Sequence, residues 1–319
     1  METDLSFPLV LAWAVPFFAA TVALEWAMVA QGRARGRYEW RDAVTSMTMG
    51  LGNLATDLLF GFLSLAALMW LWQFRLWDLG VSLPIILLAL VAQDFVYYWK
   101  HRASHRIRWF WSAHVVHHSS EHYNLTTALR QPWTGHFTGL VLLSTPLVLM
   151  GFHPLLIGFV GSLNLLYQYW IHTEAIRKLP RWVEGIINTP SHHRVHHSTH
   201  PTHLDMNYAG IFIVWDRLFG TFIEERDDEA MTYGLVENVG TFNPLRVAFA
   251  EWIAIFRDAA APGLTWRQRL AYMVAPPGYS HDGSRQGSDA ILAAWRARPE
   301  SSTDMSAPGP APSSAPAEG

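Results

Sequence analysis

The chain has 319 residues, of which 50% are hydrophobic and 15% charged, and its formal net charge is −3. This length allows one large domain or two ordinary ones, and the charge gives no indication of a polyanionic partner such as nucleic acid. The sequence contains no cysteine, which excludes disulfides, iron–sulfur clusters and thiol nucleophiles.

Three long apolar runs occupy residues 7–30, 43–72 and 81–99. About 20 apolar residues suffice to cross a bilayer as a helix. The first run follows acidic rather than basic sequence, so we expect a retained membrane helix and not a cleaved signal. A fourth apolar region, 135–170, is interrupted at residues 151–154, which predicts either a tight pair of crossings or a hairpin dipping into the bilayer. The alternative, buried core helices of a large soluble protein, fits the repeated runs and their charge asymmetry poorly.

Basic residues follow the first and the third apolar runs: Arg33, Arg35, Arg37 and Arg41, then Lys100, Arg102, Arg106 and Arg108. The positive-inside rule places both clusters in the cytoplasm, and counting the predicted helices gives the same orientation. We therefore expect an all-α, multi-pass integral membrane protein with four to five membrane-embedded helices and a cytosolic helical cap. The domains would be 1–99, 100–222, 223–277 and a disordered tail, 278–319, rich in Ser, Pro, Ala and Gly.

All of the 16 histidines except His281 lie between His101 and His203, and most of them form three boxes. The boxes are HxxxH, HxxHH and HxxHH, with the members His101, His105, His114, His117, His118, His193, His196 and His197. On a helix, residues three and four apart lie on one face, so each box directs its imidazoles toward a common point. A structural role explains this poorly, because so many buried imidazoles would repel one another without a neutralising partner.

Eight imidazoles exceed the four ligands of a closed zinc site and the three of a catalytic one, which predicts two metal ions. The boxes do not select the metal. Two irons beside a bilayer would suit oxygen activation and attack on a lipid C–H bond, whereas zinc would suit a membrane hydrolase. A metal-handling membrane protein without catalytic activity is a third possibility. Asp94, in the third apolar run, is a candidate hydrogen-bond acceptor for a ligand histidine because a carboxylate at membrane depth is costly.

The three boxes at these spacings resemble the fatty acid hydroxylase/sterol desaturase superfamily over residues 94–222. Within it, the chain is most similar to the alkylglycerol monooxygenase group, through HHSSEHYNLTTALRQ (117–131), YQYWIHTE (167–174), NTPSHHRVHH (188–197), NYAG (207–210) and WDRLFGTF (215–222). The resemblance implies a membrane-bound di-iron, O2-dependent lipid oxygenase that hydroxylates a C–H bond at the ether-linked carbon of alkylglycerols. A sterol or other lipid desaturase or hydroxylase is the alternative within the superfamily.

The resemblance also assigns residues. It implies the eight boxed histidines as iron ligands and adds His172 as a ninth. His192 is expected to face the substrate or a hydrogen-bond partner, since adjacent helical residues point about 100° apart. Glu121 and Asn124 follow the second box and are candidates for shaping the catalytic pocket.

Two electrons per turnover must come from outside the chain, which contains no flavin, haem or dinucleotide motif. The resemblance implies tetrahydrobiopterin, for which we expect a pocket wall formed by residues 121–131 and 203–208. The alternative donor is a separate redox protein that docks on the basic side chains Lys100, Arg102, Arg106 and Arg108.

Overall fold

The computed structural model describes residues 10–229 and 231–298, and within these ranges it contains helices and loops without a strand. A single bridge between Ser198 and Tyr233 is the one sheet-like pairing there. The helices are α1 (Val10–Ala30), α2 (Trp40–Trp72), α3 (Leu83–Arg106), α4 (Arg108–His118), α5 (Leu125–Ala128), α6 (Thr145–Leu149), α7 (Pro154–Tyr169), α8 (Arg181–Glu184), α9 (Pro190–His197), α10 (Val214–Phe219), α11 (Pro244–Ala259), α12 (Trp266–Val274) and α13 (Ser288–Arg296). Two 3-10 turns, Gly135–Phe137 and Leu140–Ser144, precede α6.

Helices α2 and α3 are long and apolar enough to cross a membrane. Their large apolar side chains point away from the protein: Leu58 is 79% exposed, Leu83 is 69% exposed, and Phe62 and Leu87 are also open. A contiguous apolar surface of this kind is costly in water and suits lipid. The described part of α1 adds a shorter apolar stretch, Ala14–Ala30. The total of four to five membrane-embedded helices stays a prediction.

The apolar region 135–170 forms a hairpin with two unlike arms. Its second arm is the continuous helix α7, whereas its first consists of the 3-10 turns and the five-residue α6. The tip contacts the loop between α2 and α3, where Leu76 N donates to Leu149 O at 2.8 Å. Leu147, Leu156 and Val160 of the two arms pack with Ala89 of α3 in a buried core. This apolar packing fixes α3, which carries the first histidine box.

The first half of α2 is fixed to the segment that follows α4. Asp42 and Arg130 form an ion pair of 2.8 Å, and each side chain is 2% exposed. Trp133 lies against α2 at Gly52, where any Cβ would collide with the indole, and its Nε1 donates to Met49 O at 2.9 Å. The basic loop between α1 and α2 lies beside the histidine-bearing segments, because Asn124 Nδ2 donates to Arg37 O at 2.9 Å.

Two acidic side chains of the apolar helices α1 and α2 have hydrogen-bond partners within the protein. Glu25 of α1 accepts from Leu125 N at 2.8 Å and from the hydroxyls of Tyr38 and Thr173. Asp57 of α2 pairs with His136 at 2.7 Å. Both contacts tie the apolar helices to the segments around the second histidine box.

The C-terminal helices pack against α4 through the buried Arg108. Its Nε lies 2.6 Å from Glu251 Oε1, and its Nη1 lies 2.9 Å from Asp258 Oδ2. Farther along the chain, Ser288–Arg296 form α13, so the disorder predicted from residue 278 onward is wrong for this helix. Asp289 holds it through a 2.6 Å ion pair with Arg106, and Trp295 packs on His200. The remainder of that prediction, 299–319, lies outside the described residues.

Candidate metal centre

The histidine boxes meet because the helices that bear them fold against one another. A single extended residue, Ile107 (φ −127°, ψ 114°), separates α3 from α4 and lets the chain turn back on itself. The box of α4 thereby faces the box of α3. Helix α9 begins with Pro190, whose fixed φ suits the first helical turn, and all eight of its residues are buried. His172 lies in the turn directly after α7.

The nine histidines predicted as ligands lie in two adjacent groups. Group one contains His101, His105, His114, His118 and His196, and group two contains His117, His172, His193 and His197. In each group, one ring nitrogen per residue lies within 4.8 Å of the others. The groups share a boundary, where the rings of His118 and His197 stack at 4.3 Å between centroids. Every member except the half-buried His114 is buried.

Within each group the Nε2 atoms face one another at short distances. In group one, His114 Nε2 lies 2.9 Å from that of His101 and 3.1 Å from that of His118. In group two, His172 Nε2 lies 3.1 Å from that of His117 and 3.0 Å from that of His193. Each group therefore has several nitrogens converging on a space of atomic size.

Backbone carbonyls fix which nitrogen of three rings carries the proton. The Nδ1 atoms of His101, His172 and His196 lie 2.8, 2.7 and 2.9 Å from the carbonyl oxygens of Tyr208, Gln168 and Met206. A carbonyl only accepts, so each Nδ1 carries the proton and each Nε2 of the neutral ring is a bare lone pair. These lone pairs point into the two groups, where a cation would satisfy them. The donor set therefore fits two metal ions.

Burial keeps these imidazoles neutral, as metal ligation requires. Loss of solvation lowers the pKa of His117 from 6.5 to about 4, and it also lowers the pKa of the other group members outside α3, which are His114, His118, His172, His193, His196 and His197. When folding lowers the pKa of a histidine, the protein loses stability as the pH falls through ~6.5, the pKa of that histidine in the unfolded chain. Acidification below that value therefore opposes both the fold and metal binding.

The segment between α9 and α10 orients the ligands, a role that was not expected from the sequence. It supplies the carbonyls of Met206 and Tyr208 and the carboxylate of Asp205, which lies 3.2 Å from His105 Nδ1. Asp216 secures the segment by accepting from Tyr208 N at 2.8 Å and Ala209 N at 2.7 Å. The strings NYAG and WDRLFGTF were the available signal, since they contain several of these residues.

Two features show how tightly this segment is held. Asp205 and Asn207 both have positive φ, 60° and 56°, a conformation that costs a non-glycine residue energy. Burial would raise the pKa of the Asp205 carboxyl, but the His105 hydrogen bond and the Arg106 charge keep that pKa below its usual value. Asp205 is therefore an anion beside group one, suited to orient His105.

A second tether holds the segment that carries His172. Arg194 of α9 pairs with Glu225 through two contacts, Nε to Oε1 and Nη2 to Oε2, each at 2.7 Å. Its Nη1 also donates to Thr173 O at 3.0 Å and Ile176 O at 2.7 Å. The side chain is 6% exposed, so this fork of hydrogen bonds fixes α9 against the segment after α7.

Asp94 was predicted to accept a hydrogen bond from a ligand histidine, but its carboxylate oxygens accept from other groups. Its Oδ1 accepts from Asn164 Nδ2 and Ile211 N, both at 2.7 Å, and its Oδ2 accepts from Phe212 N at 3.0 Å and Trp215 Nε1 at 2.9 Å. These four donors use the lone pairs of the carboxylate. Asp94 therefore fixes the start of α10 and the end of the orienting segment, and it acts on the histidines only through them.

Asn124 and Glu121 also lie outside the two groups. Asn124 is the N-cap of α5, because its Oδ1 accepts from Thr126 N at 3.1 Å and from Thr126 Oγ1 at 2.6 Å. This role is structural, and a contribution of Asn124 to a catalytic pocket stays a prediction. Glu121 is exposed. The neighbouring Tyr123 lies closer to the site, with its ring 5.1 Å from that of His197 and its hydroxyl bonded to Ile171 O.

His192 is separated from both groups. Its ring packs against Phe222 at 5.4 Å, and its Nε2 lies 4.0 Å from Glu184. Neither ring nitrogen has a hydrogen-bond partner among the described residues. The histidines that match no box have other neighbours, with His122 near Asp42 and His153 capping α7. His281 contacts the hydroxyl of Tyr272.

The four basic side chains expected to dock a redox protein do not form an open patch. Lys100 donates to Ser144 Oγ at 2.6 Å, and Arg102 contacts the hydroxyl of Tyr98 at 3.1 Å. Arg106 pairs with Asp205 and Asp289, and Arg108 is buried against its own acidic partners. Acidic side chains neutralise Arg106 and Arg108, and Lys100 and Arg102 are bonded to hydroxyl groups, so the four side chains do not form the basic docking surface that was expected.

A cavity of about 360 Å³ reaches the centre from the side of the C-terminal helices. Its inner wall contains His105, His118, His196 and His197, and its outer wall contains Glu237, Glu251, Arg257 and Arg285. The expected wall formed by residues 121–131 does not line it. This cavity gives a small polar molecule a route to the edge of both groups.

Comparison with known proteins agrees with this geometry. Residues 86–221 match the family model described as Fatty acid hydroxylase. The chain is 38% identical over 279 residues to alkylglycerol monooxygenase of Homo sapiens, covering 86% of this chain and 61% of that protein. It is 40% identical over 241 residues to alkylglycerol monooxygenase of Danio rerio, covering 74% and 52%.

A bacterial protein, the ornithine lipid hydroxylase OlsE of Rhizobium tropici, is 28% identical over 138 residues, which is 43% of this chain and 41% of that protein. No solved structure matches the chain significantly. The chain spans between half and about three-fifths of the length of the alkylglycerol monooxygenases that it matches. The three histidine boxes lie inside the segment, residues 86–221, that matches the fatty acid hydroxylase family.

Proposed function

We propose that this protein is a membrane-bound, di-iron, O2-dependent lipid hydroxylase. The observation that carries the proposal is the convergence of nine histidines into two groups of metal-binding geometry within a fatty acid hydroxylase domain. His101, His105, His114, His118 and His196 would hold one iron, and His117, His172, His193 and His197 would hold the other. Two bound irons would supply the activation of O2 for attack on a C–H bond.

The chain's own residues would position the reaction at the membrane surface. His101 and His105 lie in the last two turns of α3, directly after its apolar part. A lipid that follows the exposed apolar faces of α2 and α3 would arrive beside group one. The carbonyls of residues 206 and 208 and the Asp205 carboxylate would hold the imidazoles in position. Burial of the histidines excludes bulk water from the reacting atoms.

The substrate that we propose is an alkylglycerol, hydroxylated at its ether-linked carbon. Support comes from two relatives that bear the name alkylglycerol monooxygenase and cover 86% and 74% of this chain. A second candidate is another lipid of the kind suggested by the ornithine lipid hydroxylase relative. A zinc-dependent hydrolase and a metal-handling protein would need neither O2 nor a reductant.

The test uses purified protein in detergent with iron, a reductant and matched lipids. We expect an alkylglycerol to give a fatty aldehyde, since hydroxylation of the ether carbon produces a hemiacetal that collapses to the aldehyde and the glycerol. The reaction should require O2. The corresponding ester lipid, with a carbonyl where the ether lipid has a CH2 group, is the control and should give no aldehyde. Product formation without O2 would overturn the proposal.

We further propose that the electron donor is a small diffusible reductant such as tetrahydrobiopterin rather than a docked redox protein. The cavity of about 360 Å³ beside His105, His118 and His196 supports this, because it is of the size that suits a small polar ring system. Internal pairing of Arg106 and Arg108 argues against a steering patch. Substituting Glu237 in the cavity wall by Gln should raise the pterin concentration needed for half-maximal turnover, while an unchanged value would contradict the assignment.

We also propose a multi-pass topology with the metal centre on the cytoplasmic face. The basic loop of residues 33–41 lies beside the histidine segments through the Arg37–Asn124 contact, whereas the α2–α3 loop lies at the opposite end with the hairpin tip. A reporter inserted after Arg37 should therefore score as cytoplasmic and one inserted after Asp78 as external. A cytoplasmic signal from Asp78 would refute this orientation.

A further inference from the structure

A third cluster of metal-ligating side chains lies outside the two histidine groups. It consists of His200 and His203, which follow α9, and Glu229, in the loop after α10. One ligand atom of each residue lies within 4.8 Å of the others. His203 Nε2 approaches Glu229 Oε2 at 2.9 Å. None of these residues belongs to a histidine box, and none contacts the nine candidate ligands of the main centre through a hydrogen bond in the described chain.

The cluster has the features of a built site. His203 is fully buried, His200 is 5% exposed and the Glu229 side chain is 16% exposed. Despite their proximity, His203 Nε2 and Glu229 Oε2 lack a well-directed hydrogen bond among the described residues. A buried imidazole nitrogen without such a bond is costly, and a cation bound to both atoms would satisfy it.

Neighbouring hydroxyls orient both rings. Ser198 Oγ lies 3.0 Å from His203 Nδ1, and Thr202 Oγ1 lies 2.8 Å from His200 Nδ1. This leaves the Nε2 side of each ring for a ligand. Metal-binding histidines commonly have the second nitrogen held by a neighbouring polar group in this way. The Trp295 ring of α13 packs edge-on against His200 at 4.9 Å and holds it from the other side.

We propose that His200, His203 and Glu229 bind a third, mononuclear metal ion, separate from the histidine centre. Two imidazoles and one carboxylate are a common ligand set for Zn2+, and they also suit Fe2+. Three protein ligands leave one or more positions for water. The site is a new assignment for this chain and does not depend on the reaction that the main centre performs.

The position of this third site gives it a structural consequence. The metal would join the segment after α9 to the loop that contains Glu229. The same two segments are linked nearby, where Thr199 N donates to Thr232 O at 2.8 Å and Ser198 bridges to Tyr233. Tyr233 stacks on Tyr123 at 4.9 Å, and Tyr123 contacts the rings of group two. The third ion would therefore fasten the loop that covers this side of the centre.

The test counts metal ions in the whole protein. Metal-free protein in detergent is loaded with Zn2+, freed of excess metal and analysed by mass spectrometry for zinc per chain. The variants are His203→Ala, His200→Asn and Glu229→Gln, of which the last two retain side-chain size. We expect each variant to bind one Zn2+ fewer than the unsubstituted protein. The control is His281→Ala, because the His281 ring contacts Tyr272 and belongs to none of the three proposed metal sites. This variant should bind the same number of Zn2+ ions as the unsubstituted protein.

A second readout separates loss of this site from collapse of the fold. Zinc should slow trypsin cleavage after Arg226, whose side chain is 62% exposed, more in the parent than in His200→Asn, while the two metal-free proteins should be cleaved at the same rate. Equal zinc content in parent and variants would overturn the proposal. Loss of all zinc in the three variants would overturn it too, because these residues would then support the main centre. Neither measurement involves O2 or lipid, so this assignment and the proposed function can fail separately.

Discussion

Alanine at His196 or His117 will remove the metal of the group concerned and abolish product formation together. The two residues belong to different groups, and each group contains only four or five imidazoles. Neighbouring side chains cannot fill the vacated position, because helices α3, α4 and α9 and the turn after α7 fix the remaining rings. Changes to residues that merely orient ligands typically cost ~10–100-fold in activity or metal affinity. Direct loss of a ligand should exceed that, so we expect activity to fall by more than about 100-fold.

Metal content and lipid turnover of the purified variants check this expectation. Each variant should lose metal mainly from its own group, so the remaining content should stay near half that of the parent centre. His281→Ala is the control, since its ring contacts Tyr272 and belongs to neither group. Full activity in His196→Ala would show that group one does not bind a catalytic metal.

Replacing Asp94 by Ala will destabilise the protein and weaken metal binding from a distance. The carboxylate accepts hydrogen bonds from Asn164, Ile211, Phe212 and Trp215, and it is completely buried. Each buried donor left without an acceptor costs ~1–3 kcal/mol. The total loss should therefore reach about 3 kcal/mol or more. Because the adjoining segment supplies the carbonyls that orient His101 and His196, metal affinity should fall as well.

The matched control for Asp94 is Asp78→Ala in the loop between α2 and α3. The Asp78 side chain is 61% exposed and pairs with Arg75, and a solvent-exposed pair contributes about 0–1 kcal/mol. Thermal unfolding in detergent and a metal titration measure both effects. If Asp94→Ala unfolded at the same temperature as the parent and bound metal with the same affinity, the role assigned to this carboxylate would be contradicted.

The sequence was most informative about the histidines, because helical spacing alone predicts which imidazoles share a face. His101 and His105 are one turn apart on α3, and His193, His196 and His197 lie on α9 as the spacing indicates. The apolar runs predicted α2 and α3 for the same reason, since length and hydropathy are local properties. The division of nine histidines between two groups depends on how four segments pack and could not be read from spacing.

The residues that orient the ligands were harder to predict because their partners are distant in sequence. Asp94 was expected to bind a histidine, yet its donors lie at residues 164 and 211–215. Asn124 follows a histidine box and suggested catalysis, but it caps α5 locally. Arg106 and Arg108 suggested an open basic surface, whereas acidic side chains from the C-terminal helices neutralise them. Charge patterns along a chain do not reveal such pairing.

Anomalous X-ray diffraction at the iron absorption edge is the most direct test of the central claim, that the two histidine groups bind two irons. In crystals of the iron-loaded protein, we predict two iron peaks, one surrounded by His101, His105, His114, His118 and His196 and the other by His117, His172, His193 and His197. A single iron peak shared by both groups, or no iron peak within them, would contradict the account.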